Sequence, residues 1–125
     1  MMAKARVRYI VSDVDAAVRF YCEMLGFQVD MRPAPGFARL SNDNLQLMLN
    51  SPGAGGAGQA MPGGEMSAPG GWNRIQIEVP NLQATVERLK AAGCSFRNEI
   101  VQGAGGRQIL VNDPSGNAVE LFEPI

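Results

Sequence analysis

The chain has 125 residues, a net charge of −1 and no histidine. A near-neutral chain without a basic cluster gives no electrostatic footing for nucleic acid or for an anionic membrane. The lack of histidine also excludes Ser–His and Cys–His nucleophile pairs.

The opening MMAKARVRYI has no apolar signal core, and no apolar run approaches the roughly 20 residues of a bilayer span, so a cytoplasmic protein is expected. Alternation in RVRYIV predicts a first strand, with Val7, Tyr9 and Val11 on one face and Arg6, Arg8 and Ile10 on the other. Asp13 is a good helix N-cap, because its short carboxylate can accept from orphan backbone N–H groups. The stripe Val14, Ala17, Val18, Tyr21, Cys22, Leu25 has helical spacing, and Gly26 ends it. Strands are predicted over 27–32, 37–41 and 45–49. Residues 51–71, SPGAGGAGQAMPGGEMSAPGG, hold eight glycines and three prolines without periodicity. They read as a flexible connecting loop, either a solvated tether or a mobile lid.

The pattern then repeats. VPNLQATVERL from Val79 matches VSDVDAAVRFY from Val11, 68 residues earlier. RIQIEV precedes it as a strand, with Arg74, Gln76 and Glu78 opposite Ile75, Ile77 and Val79. Asn81 caps a second helix with the stripe Leu82, Thr85, Val86, Leu89, and Gly93 ends it. Strands are predicted over 96–101, 106–112 and 118–122, the last entered through the turn DPSGN. Each half is thus β-α-β-β-β: a first module over 1–50, the loop 51–71 and a second module over 72–125, together one α+β domain. Cys22 and Cys94, at unrelated spacing, read as reduced packed thiols.

The helices must cover the apolar strand faces, so the polar faces should line a concave cleft. Glu120, between Val119 and Leu121, should look the same way as the arginines. It is expected to pair with Arg6 or Arg74, while the forked guanidinium donors could also bind an anionic ligand. Trp72, the only tryptophan, is either a packing residue at the core edge or a wall for a flat ligand. Phe37 and Met48 are core residues or the opposite wall, and Arg107 is a solvated strand-end charge or a contact at the cleft mouth.

With the words VSDVDAAVRFYCEMLGF, VPNLQATVERLKAAGCSF and DPSGNAVELFEP, the sequence resembles the vicinal oxygen chelate superfamily of glyoxalases, bleomycin-resistance proteins and extradiol dioxygenases. The resemblance covers nearly the whole chain apart from the Gly-rich loop. It implies a curved, mixed eight-stranded sheet around a cleft, often in a homodimer, holding a metal or a small ligand. The metal-ligand positions of the enzymes fall here on Arg6, Gln46, Arg74 and Glu120, with Met48 replacing Gln46 if the register slips. A guanidinium has no lone pair to give, so no metal and no cofactor is expected. The function this implies is metal-free binding or sequestration of a small organic molecule, anionic or aromatic. The alternative is a lyase, isomerase or dioxygenase-like enzyme using Glu120 as a catalytic base.

Overall fold

The structure, a computed structural model, describes residues 3–125 and divides into two compact units, Met1–Pro69 and Gly70–Ile125. In the first unit β1 (Val7–Ile10) leads into helix α1 (Val14–Arg19), whose last turn widens into a π-turn over Phe20–Met24. Strands β2 (Gln28–Ala34), β3 (Phe37–Asn42) and β4 (Leu45–Asn50) follow. The sheet order is β1-β4-β3-β2, with β1 parallel to β4 and the other pairs antiparallel. The Asp13 carboxylate caps α1 by accepting from the Ala16 N–H at 3.1 Å, and Gly26 leaves the helix at φ +75°. The π-turn accompanies the burial of two consecutive aromatic residues, Phe20 and Tyr21. Tyr21 meets Tyr9, Phe20 and Phe27 edge-on, with ring centroids 6.4, 5.0 and 5.5 Å away. Edge-to-face contact of this kind adds to the area buried. Leu40, Leu47 and Leu49 are fully buried as well.

The second unit repeats the plan with β5 (Ile75–Glu78), α2 (Leu82–Ala91), β6 (Val101–Gln102), β7 (Gly106–Asn112) and β8 (Ala118–Pro124), in the order β5-β8-β7-β6. Asn81 caps α2 through the Ala84 N–H at 3.0 Å, and Gly93 closes the helix at φ +87°. Leu82, Val86 and Leu89 turn inward, and Val111, Val119 and Leu121 are buried too. The eight strands therefore form two four-stranded mixed sheets, one per module. The α+β fold of tandem βαβββ modules is as expected, and its eight strands fall into two sheets because each ladder closes on strands of its own module.

One expectation needs correction. The strand expected over 96–101 shrinks to β6 and an isolated bridge between Phe96 and Val111. The Asn98 side chain accepts from the Leu110 N–H at 2.9 Å, taking a bond that a ladder would otherwise use. The segment after β4 also has shape: Ala54 N–H donates to the Ser51 carbonyl, Gly58 N–H to Ala54 and Gly53 N–H to Gly58. Residues 51–69 belong to the first unit. Among the described residues no helix is long and apolar enough to cross a membrane.

Candidate functional site

In the second module, parallel pairing sets Gln76 beside Glu120, and Arg74 lies on the same strand face as Gln76. Glu120 is 8% exposed, a position at which a carboxylate needs partners. Its Oε1 accepts from Arg74 Nε at 3.1 Å and Nη2 at 3.0 Å, and its Oε2 accepts from Gln76 Nε2 at 2.6 Å. Three of roughly four acceptor positions are thus filled from within the module. Arg74, Gln76 and Glu120 form one cluster, with Arg74 also reaching the Trp72 carbonyl at 3.3 Å.

In the first module the equivalent ladder pairs Arg8 with Met48. Met48, not Gln46, is therefore the counterpart of Glu120. The sequence misleads because Gln resembles Glu chemically, whereas register is set by the turn. A two-residue turn at Asp43–Asn44 precedes β4, but five residues, Asp113–Asn117, precede β8. The two turns therefore set the ladders differently, and Met48, two residues beyond Gln46 on the same face, stands beside Arg8. Arg6 Nε donates to Gln46 Oε1 at 2.6 Å. Arg8 donates through Nη1 to Asn50 Oδ1 and sets Nη2 3.6 Å from the Met48 sulfur, a weak acceptor.

Phe37 is half-buried and pairs across the ladder with Asn50. Two of the cavities on this module reach the residues of its polar strand face. One of about 740 Å³ is lined by Lys4, Asp30, Arg39, Ser41, Asn44 and Gln46. The other, about 380 Å³, lies among Arg8, Phe37, Asn50, Ala34 and the loop 54–57.

Trp72 is 69% exposed, so it is not a packing residue of the core. One face of its ring carries the Arg97 guanidinium, 4.8 Å from the centroid. Arg97 escaped sequence reasoning. It donates to Asn112 Oδ1 and to the Gly71 and Gly116 carbonyls, each at 2.8 Å, and so ties the segment before β5 to the turn before β8. That turn holds itself together: Asp113 Oδ1 accepts from the Ser115 and Asn117 N–H groups at 2.9 Å, while Asn117 Oδ1 accepts from the Gly70 N–H at 2.7 Å. The DPSGN word is thus a brace. Asn50 was missed too, although alternation along Gln46, Met48 and Asn50 carries the signal.

Arg107 lies away from the Arg74 cluster, paired with Glu123 at 3.1 Å. Glu123 Oε1 also accepts from the Leu82 N–H at 2.7 Å, at the start of α2. The Leu82 N–H and then the Arg107 guanidinium hold the Glu123 carboxyl below its ordinary value of 4.5. A depressed carboxylate stabilises the fold above that ordinary value, and its contribution fades as the pH falls through the folded-state value. Glu123→Gln should therefore lose less stability than the parent on acidification below about pH 4.5, measured as the urea midpoint against pH.

Among the described residues no three of His, Cys, Asp and Glu converge as a metal-binding group. The four positions that the enzymes of the resembling superfamily use for metal hold Arg6, Met48, Arg74 and Glu120 once register is read from the ladders. Two guanidiniums, a thioether and a carboxylate already engaged by Arg74 and Gln76 do not fit a divalent metal.

Paired βαβββ modules with a polar strand face in each define a class of protein that has many relatives. The chain belongs to the Glyoxalase/Bleomycin resistance protein/Dioxygenase superfamily, whose family model matches residues 5–121. It is 27% identical over 113 residues to CFP32 of Mycobacterium tuberculosis, a protein provisionally named a glyoxylase. That match takes in 90% of this chain but 42% of the relative, so the chain spans about two-fifths of its length. A superfamily member from Sphaerobacter thermophilus superposes with a TM-score of 0.75 at 26% identity, covering 98% of each chain. TnmS3, an antibiotic binding protein from Streptomyces sp. CB03234, superposes with a TM-score of 0.73 at 22% identity, covering 99% of this chain and 98% of its own.

Proposed function

We propose that this protein binds a small organic molecule without a metal, using the arginine-bearing strand faces of its modules. The observation that carries this reading is the state of Glu120. The one carboxylate at the metal-ligand positions is closed by two N–H groups of Arg74 and one of Gln76. What remains on the polar faces is donor-rich and suited to oxygen-bearing ligands rather than cations. The antibiotic-binding description of TnmS3 supports the same reading.

The enzymatic alternative takes its support from the naming of CFP32. A general base, however, must reach the proton it removes within hydrogen-bond range. Glu120 keeps only one of its roughly four acceptor positions for that purpose.

Metal analysis of untagged protein, joined to a thermal-shift screen of organic acids, aromatic compounds and glycopeptides, tests the proposal. Sub-stoichiometric metal is expected, with a rise in Tm for organic compounds and none for divalent cations. A ligand at about a hundred times its Kd adds about 2.7 kcal/mol, which shifts Tm by several degrees. Stoichiometric transition metal that survives dialysis, or hemithioacetal turnover abolished by Glu120→Gln, would overturn it.

A further inference from the structure

We infer that the first module carries a pocket for a small carboxylate with an apolar body, received by Arg8. The inference rests on the small-molecule reading and assigns the acid-binding end of the site to one module.

Arg8 differs from the ion-paired arginines of both modules. Arg32, Arg39, Arg74 and Arg107 each have a carboxylate within ion-pair range. Among the described residues none lies that near Arg8, because Met48 stands where the second module has Glu120. The guanidinium is nevertheless held in place. Asn50 is 2% exposed and accepts from Arg8 Nη1, fixing one of its five N–H groups. A positive group aimed by a buried amide, with donors left over, is arranged for an anion.

The cavity beside it, about 380 Å³, falls in the size range of small-ligand sites. Its walls are mainly apolar: Pro33, Ala34 and Phe37 on the sheet side, Ala54 and Ala57 on the loop side. The loop wall is firm. A Cβ on Gly58 would lie 2.5 Å from the Ala54 N and O atoms, and one on Gly36 would lie 2.5 Å from Ala54 Cβ. The Ser51 N–H also donates to the Gly36 carbonyl at 3.0 Å, fastening the loop to the β2–β3 turn. Apolar walls with one guanidinium at the end select a monoanion carrying a hydrocarbon group. A phosphate dianion would have to give up its hydration for a single cation, at a cost these walls cannot offset.

The test uses the full chain, with phenylacetate and its neutral amide, phenylacetamide, as probes. Affinity is read by calorimetry and position by amide chemical-shift mapping. Phenylacetate should bind about tenfold tighter than the amide, the size expected of one charge-assisted hydrogen bond. The shifts should centre on Arg8, Phe37, Asn50 and residues 54–57. Arg8→Gln should remove the preference for the acid, and Ala57→Phe, which fills the pocket, should weaken both probes alike. Both variants should melt close to the parent. Equal affinity for acid and amide, or shifts centred on Arg74 in the second module, would overturn the pocket assignment while leaving small-molecule binding intact. If neither probe binds, the assignment falls, and the broader compound screen then decides separately whether the protein binds any small molecule.

Discussion

Gly106→Ala should destabilise the protein by about 2–5 kcal/mol, the sum of overpacking and backbone strain. Gly106 opens β7 at φ +153° opposite Pro124. A Cβ there would lie well inside contact distance of the Glu123 carbonyl oxygen and 2.9 Å from Pro124 Cα. Both neighbours are backbone of the paired strand, so no side chain can swing aside. Relief requires the ends of β7 and β8 to part. That opening would also break the Arg107–Glu123 pair and the bond from the Ile125 N–H to the Gly105 carbonyl. Gly93 supplies the comparison. Its φ is +87°, yet nothing lies within 4 Å of a Cβ placed on it, so Gly93→Ala should cost only about 1 kcal/mol. Urea unfolding of the two variants checks the contrast. A loss under about 1 kcal/mol for Gly106→Ala would show that the strand ends are not held together.

The parts of this protein that were legible in its sequence are those set by local rules. The caps at Asp13 and Asn81, the terminating glycines and β7 from Gly106 to Asn112 follow from periodicity and N–H chemistry. The alternation around Glu120 placed its side chain on the face of Arg74 and Gln76, where their hydrogen bonds now show it. Less legible were the features decided by non-local register or by side-chain competition for backbone. Whether Gln46 or Met48 answers Glu120 depends on turn length, and alternation cannot see it, since both point the same way. The segment 96–101 has strand-like residues, but Asn98 and Arg97 spend their side chains on bonds to distant backbone and end the ladder early. The Gly-rich segment has no periodicity to read. Its turns depend on close approaches at Gly58 and Gly36 that only coordinates reveal.

The Arg74–Glu120 pair should respond asymmetrically to loss of either partner. The Glu120 side chain is 10% exposed and that of Arg74 31%. Removing Glu120 leaves a guanidinium that can turn toward water and still hold the Trp72 carbonyl. Removing Arg74 strands a carboxylate that keeps only the Gln76 amide. Arg74→Met should therefore cost about 2–4 kcal/mol, a little below the range for a fully buried pair because water reaches one side. Glu120→Met should cost about 1 kcal/mol or less, since it reproduces in the second module what the first already has, an arginine-bearing strand beside methionine at Arg8 and Met48. The double variant should recover most of the loss of Arg74→Met, because no charge is then buried without a partner. Equilibrium urea unfolding of the four proteins in a double-mutant cycle measures this directly. Equal costs for the two single variants, or a double variant as unstable as their sum, would mean that Glu120 is better hydrated than its burial indicates. Its fourth acceptor position would then be open to solvent or substrate, which is the condition the enzymatic reading of this protein requires.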